Sequence, residues 1–169
     1  MVLAKRERAA CEGVRSLTNR SGRKSTEDME APFWEIKSLR EMTREEWESL
    51  CDGCGICCLE KVIDEKTGEI QLTSIACEFL DISSCGCTIY GLRTVVNPTC
   101  IQLTPKNIKG LKWLPRTCAY RSIAEGRALP SWHPLVSGDP AAVHRAGISV
   151  RNRVVSGLHV REEDLEHYL

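Results

Sequence analysis

The stretch Cys51-Asp52-Gly53-Cys54-Gly55-Ile56-Cys57-Cys58 places four cysteines in eight residues, and the fold is read outward from it. Two residues between Cys51 and Cys54 let the chain turn so that both sulfurs point at one ion. Gly53 and Gly55 permit positive φ and bring backbone N–H groups toward anionic sulfur. Continued as a helix, the run would set Cys51, Cys54 and Cys58 at i, i+3 and i+7 on one face. Cys57 would then point about 100° away from Cys58, so the two adjacent thiols are expected to have separate roles. Free cysteine is often simple core, but four in eight residues make a core-only account poor.

Nine of the ten cysteines lie between Cys51 and Cys118, and all four histidines (133, 144, 159, 167) follow. Ligation by sulfur alone is expected, which selects Zn²⁺, Cu(I) or iron–sulfur clusters over Mg²⁺ and Ca²⁺. Cys77, Cys85, Cys87, Cys100 and Cys118 are the candidates to close a site with the first cluster. A zinc ribbon would repeat Cys-x2-Cys some 15–20 residues on, whereas Cys85-x-Cys87 stands here. A ferredoxin run would place its fourth cysteine after three intervening residues and follow it with proline; here it is immediate. Four sulfurs suffice for one zinc or one cluster, and nine allow two sites with one thiol left over. Cys118 on a helix is equally well a core residue, and Cys11 lies far upstream. A redox dithiol would sit at a helix N-terminus, where the dipole favours thiolate. Here the expected helix ends at the cluster.

That helix runs from about 44 to 51 behind the capping box Thr43-Arg44-Glu45-Glu46, with Trp47 and Leu50 facing inward. Downstream, Lys61–Asp64 and Glu69–Leu72 flank Lys66-Thr67-Gly68 as a β-hairpin. Thr73 reads as the cap of a short helix carrying Cys77, Phe79 and Leu80, and Thr88–Tyr90 as a strand. Thr104-Pro105, Thr117 and Asp139-Pro140 read as helix starts, the last two helices stopping at Gly126 and Gly147. Residues 148–155 alternate like a strand, and 161–168 form a polar helix. Residues 1–31 lack apolar periodicity and read as a disordered leader, leaving 32–169 as the cysteine-cluster domain. The fold class expected is α+β: a small loop-rich single domain organised around a cysteine-ligated metal site.

Composition narrows the functions. Lys+Arg and Asp+Glu both total 23, so binding to nucleic acid by phosphate neutralisation is not expected. Apolar runs fall short of the ~18 residues of a membrane span. The N-terminus carries no secretory signal pattern, and Glu7 and Glu12 argue against a transit peptide. A cytoplasmic location is expected, where clustered thiols favour metal over disulfides. Four Trp, three Tyr and two Phe make a thin core. A structural sulfur-bound zinc contributes on the order of 10 kcal/mol to folding, so the metal-free chain is expected to fold poorly.

The run through Cys58, with Cys77-Glu-Phe79-Leu80, Cys87-Thr-Ile-Tyr90, Arg93 and Pro98-Thr-Cys100, resembles the CxxCxxCC cysteine-cluster proteins. Pro32-Phe33-Trp34, Glu46-Trp47-Glu48, Trp113-Leu-Pro115, Thr117-Cys118-Ala-Tyr120-Arg121 and Trp132-His133-Pro134 resemble the bacterial YcgN-like branch, over about residues 32–160. The resemblance implies zinc or iron chelation, including as an iron–sulfur cluster, and no specific reaction. It implies Cys51, Cys54, Cys57, Cys58, Cys77, Cys87 and Cys100 as ligands, with Cys85 and Cys118 added by the narrower branch. The family's Arg-Pro pair before the last cysteine is split here into Arg93 and Pro98.

Trp132-His133-Pro134 reads as a rigid turn packing on the core, or as a histidine donating to a thiolate. Arg93, Arg116 and Arg121 are candidates to offset thiolate charge, or solvated surface. Tyr90 and Tyr120 read as core residues with satisfied hydroxyls. The surplus thiols favour an iron–sulfur cluster over zinc. The competing readings are an iron–sulfur-dependent oxidoreductase or protein-modifying enzyme, since flagellin lysine N-methylases contain a similar cysteine region, and a zinc-stapled adaptor. No protein partner is indicated.

Overall fold

Thr43 starts the helix that delivers the chain to the cysteines. Its hydroxyl accepts from the Glu46 N–H, and the Glu46 carboxylate accepts from the Thr43 N–H, closing both halves of the capping box. In the computed structural model, which describes residues 31–169, this helix is α2 (Arg44–Ser49), preceded by α1 (Phe33–Ile36). The expected leader and Cys11 lie outside the described residues. Trp47 and Leu50 face inward as expected, into a core with Ile108, Leu114, Ala119 and Tyr120. The Trp47 and Tyr120 rings stand 4.7 Å apart between centroids. Truncating such a buried Trp costs ~3–5 kcal/mol, so this contact is central to a small core.

The hairpin forms where expected. The Asp64 carboxylate accepts from the N–H groups of Lys66 and Thr67, Gly68 takes φ +71°, and β1 (Leu59–Ile63) pairs antiparallel with β2 (Ile70–Ala76). Thr73 caps no helix. It lies inside β2, its hydroxyl donating to the Glu60 carbonyl of β1; pairing across the hairpin overrides its local capping preference. Residues 77–79 turn the chain into β3 (Leu80–Asp81), which pairs with β4 (Gly86–Cys87). The expected strand at Thr88–Tyr90 is a turn leading to a 3-10 turn (Tyr90–Leu92) and α3 (Arg93–Val96). Of the expected strand 148–155 only the end pairs, as β5 (Val155–Ser156), parallel to β2. Leu59, Ala76, Leu80, Cys85 and Val150 form a second core.

The remaining starts are shorter than expected. α4 (Ala119–Ala124) begins after Cys118, not at Thr117. Thr104 opens into a 3-10 turn (Ile108–Gly110), and the last polar helix is 3-10 (Glu162–Tyr168). Between them lie α5 (Pro134–Ser137) and α6 (Ala142–Arg145), the Asp139 carboxylate accepting from Ala141 N–H at the start of α6. The outcome is a small, loop-rich mixture of helix and strand.

The cysteine run itself is not a continuous helix. Gly53 and Gly55 take φ +70° and +76°, and only Ile56–Cys58 coil, as a 3-10 turn. The i, i+3, i+7 face is therefore absent: Cys54 is buried, Cys58 is partly buried, and Cys51 is exposed. Val150 seals this knuckle from behind. Its N–H donates to the Cys54 carbonyl at 2.9 Å, and its side chain lies where a Cβ on Gly55 would stand.

Candidate metal centre

At the seam of the two cores lies a cavity of about 330 Å³. Six cysteines line it: Cys51, Cys57, Cys58, Cys77, Cys87 and Cys100. Each arrives on a different local device. Cys51 follows the end of α2, and Cys57 and Cys58 sit side by side on the 3-10 turn as free thiols. Cys77 leaves β2 with its N–H donating to the Cys58 carbonyl at 2.8 Å, and Cys87 ends β4. Cys100 follows α3, its N–H donating to the Asn97 carbonyl at 3.0 Å. Trp47, Phe79, Tyr90, Trp113 and Tyr120 complete much of the wall.

Three cysteines lie off this wall. Cys54 is buried within the knuckle, beside Asp52 and within electrostatic range of Cys57. Cys118 precedes α4, within range of Cys51, Cys57 and Asp52. Cys85 is apart, packed in the second core at φ +59° with Ser149 at its thiol. All nine described cysteines are free thiols.

The environment favours the neutral thiol at Cys51, Cys54, Cys57, Cys85, Cys100 and Cys118. Cys51 is exposed by its surface area but faces the cavity, where the surrounding protein desolvates its thiol and pushes it up to about 12; the same effect pushes Cys118 to about 11 and raises the buried Cys54 further. Cys57 is raised first by hydrogen bonding with the neighbouring Cys58 thiol and then by desolvation from the protein around the cavity. Reactive dithiols have lowered pKa values, so this is not the environment of a redox dithiol. A cation that displaces the protons removes the penalty. The knuckle is shaped for charged sulfur all the same. The Gly53 N–H draws the Cys51 thiol down and the Ile56 N–H the Cys54 thiol, each from two residues on.

Two cations reach the cavity. Lys61 lies over the Trp113 ring at 4.3 Å, donates to the Cys57 and Leu59 carbonyls, and draws the Cys57 thiol down. Arg93 stacks on Tyr90 at 3.8 Å and acts on Cys100. A divalent ion with four thiolates carries a double negative charge, which these two side chains match. Arg121 instead pairs with Glu125, and Arg116 is exposed. Tyr90 is half-exposed, its hydroxyl donating to Glu48, whereas Tyr120 is buried.

His133 does not face a thiolate. It is fully buried; its Nδ1 accepts from the Leu135 N–H, which assigns the proton to Nε2, and Nε2 donates to the Leu50 carbonyl at 3.1 Å. It thereby pins the residue before Cys51. Three residues escaped the sequence reading. Asn97 Nδ2 donates to the Cys77 sulfur at 3.6 Å. Lys61 was read only as hairpin. Asp52 is buried, with Oδ1 accepting from the Cys54 N–H at 3.0 Å and Oδ2 left without a partner. Its position inside the Cys-x-x-Cys was the available signal.

Among the described residues, no three Cys, His, Asp or Glu side chains are close enough together to form a coordination sphere as they stand. The fit to a metal rests on donor chemistry: clustered soft sulfurs, N–H groups aimed at them, and a buried carboxylate oxygen lacking a partner.

No described helix is long and apolar enough to cross a membrane. No solved structure matches the chain. A family profile described as "CxxCxxCC: Putative zinc- or iron-chelating domain" matches residues 50–119. The chain is 59% identical over 138 residues to a UPF0260 protein of Sinorhizobium fredii, covering 82% of this chain and 89% of that one. It is 54% identical to one of Marinobacter nauticus (82% and 93%) and 58% identical to one of Rhizobium meliloti (83% and 90%). Matched to these relatives at 54–59% identity over 82–83% of its length, the chain belongs to the UPF0260 family.

Proposed function

We propose that this chain is a cytoplasmic metal-binding protein whose domain, residues 32–169, holds an iron–sulfur cluster through its cysteines. The observation that carries this reading is one cavity lined by six cysteines from separate segments. Its volume, about 330 Å³, is many times the ~30 Å³ share of one water in the liquid, which favours a polyatomic centre over a lone zinc ion. Bound there, a cluster supplies one-electron transfer. Lys61 and Arg93 offset its charge, and Asn97 donates to sulfur.

The test is anaerobic purification with a visible spectrum and elemental analysis on one sample. Broad absorption near ~400 nm with several irons per chain is the expected result. A colourless chain with zinc and no iron overturns the cluster and leaves a zinc-stapled module. The aromatic wall of Trp47, Phe79 and Trp113 favours a second reading, a cluster-dependent oxidoreductase or protein-modifying enzyme with an organic substrate beside the cluster. Quenching of tryptophan fluorescence by a small apolar ligand, abolished in Trp113→Ala, would support it; no quenching would remove it.

A further inference from the structure

Away from the cysteines, a groove of about 620 Å³ lies between α1 and the end of α4. None of the described cysteines lines it. One wall is α1 with residues 37–40. The other is the end of α4 with residues 126–129, where Gly126 at φ +70° turns the chain and the Arg127 N–H donates to the Ser122 carbonyl at 2.8 Å. Trp34, Leu39, Ile123 and Leu129 pack against the first core yet are only partly buried, so they give the groove an apolar floor. Ala124, Gly126 and Ala128 line it too and are too small to fill it.

The rim is cationic. Lys37, Arg40, Lys109 and Arg127 line the groove against one carboxylate, Glu35, although the chain as a whole is charge-balanced. Other carboxylates close to the rim are already engaged. Glu46 pairs with Lys37, Glu125 pairs with Arg121 and Arg127, and Glu41 accepts from the Ser38 N–H. Arg40 and Lys109 are exposed and form no ion pair among the described residues. Cations gathered around one apolar groove repel one another, and a bound anion turns that repulsion into attraction. The floor and the rim together select an amphiphile: an apolar body that leaves water for the floor, and an anionic head that meets the rim. The volume falls in the ~300–1,000 Å³ range of small-molecule sites. A protein interface would instead offer a broad patch of ~800 Å².

We propose that this groove binds a small anionic amphiphile, a carboxylate or phosphate head on an apolar body. Arg40 and Lys109 meet the head, and Trp34, Leu39, Ile123 and Leu129 take the body. The groove and the cysteine-lined cavity share no lining residue, so the assignment stands whichever metal the cysteines hold.

The experiment uses the full-length chain, purified anaerobically with the metal it carries. Decanoate, decyl phosphate and decanol, each below the concentration at which it aggregates, are titrated by calorimetry at low salt. The proteins are wild type, the double variant Arg40→Glu with Lys109→Glu, and the milder Arg40→Gln with Lys109→Gln. Both positions are exposed, so the fold does not depend on them. Saturable binding of the anions, about tenfold or more tighter than decanol, is the expected result. The Glu variant loses that preference, the Gln variant loses part of it, and decanol is unchanged in both; two exposed ion pairs account for an effect of about tenfold. Added salt weakens the anions alone. A shift in tryptophan emission on binding, absent in Trp34→Phe, puts the body on the floor of the groove. Tighter binding of decyl phosphate than decanoate, or the reverse, supports the site and names its head group. Equal affinity for decanol and the anions, anion binding untouched in the Glu variant, an emission shift that survives Trp34→Phe, or no binding of any of the three probes overturns the proposal.

Discussion

Gly55→Ala tests whether the knuckle is as tightly seated as described. Two costs add. At φ +76° an alanine meets the left-handed penalty of ~1–2 kcal/mol. Its Cβ would then stand 2.7 Å from Val150 Cγ2, with Leu80 Cδ2 at 3.5 Å and Cys85 Cβ at 3.6 Å. Val150 is buried and β-branched, so it has little rotamer freedom with which to yield. Overpacking of that kind costs ~1–3 kcal/mol. Gly53→Ala is the internal control, with φ +70° but nothing within 4 Å of its Cβ. It meets the first cost and not the second. Gly55→Ala is therefore expected to be less stable than Gly53→Ala by about 1–3 kcal/mol, or roughly 3 °C in Tm per kcal/mol for a chain of this size. The assay is urea unfolding followed by tryptophan fluorescence, run on all proteins once in excess chelator and once in saturating Zn²⁺. The reasoning is refuted if the two variants agree within about 0.5 kcal/mol in saturating Zn²⁺, the scatter of ordinary surface changes.

Three further outcomes are expected. His133→Leu removes the partners of the Leu50 carbonyl and the Leu135 N–H; at about 1–3 kcal/mol for each buried group left unsatisfied, urea unfolding should show a loss of several kcal/mol, and an unchanged midpoint would contradict it. Asn97→Asp keeps an acceptor for the N–H and hydroxyl of Thr99 but removes the donor to the Cys77 sulfur; chelator competition should show metal held about 10–100-fold more weakly, with wild-type retention counting against the contact. Arg121 and Arg127 hold Glu125 at about 2, below its ordinary carboxylate range. Stability from this group is full above the unfolded-state value of about 4.3 and is lost as pH falls toward about 2. The stability difference between wild type and Glu125→Gln should therefore shrink over that window in an acid titration, and a constant difference would argue against the pairing.

Local chemistry was legible in the sequence, and long-range pairing was not. The Thr43–Glu46 box and the Asp64–Gly68 turn lie within a few residues, and both form as read. Thr73 has good cap chemistry but sits in β2, because the Glu60 carbonyl across the hairpin is a better partner. The alternation at 148–155 reflects a segment folded over the knuckle, with Val150 inward and Arg151, Asn152 and Arg153 outward, rather than a paired strand. The cysteine spacing announced a soft-metal site, and six of the nine candidates share one cavity. Which cysteines of the first run reach that cavity, and the burial of Asp52, depend on where Gly53 and Gly55 turn the chain. The His133–Leu50 contact joins residues 83 apart and had no local signal.

From Gly86 to Asn107 no residue is buried, although this segment carries Cys87 and Cys100. Val95 is 78% exposed, and Leu92, Val96 and Ile101 also face outward. The segment is held by the short β3–β4 pairing, the Tyr90–Glu48 bond, and Asn97 on Cys77. Segments with so little buried apolar surface open at a small fraction of the global unfolding free energy. Amide hydrogen exchange here should run ahead of exchange at α2 and β2. Two thiols of the cavity would swing out together while both cores stay folded, so loading and unloading of the cavity are separable from denaturation. Exchange of its contents is then governed by the closing of one surface segment rather than by the lifetime of the native state.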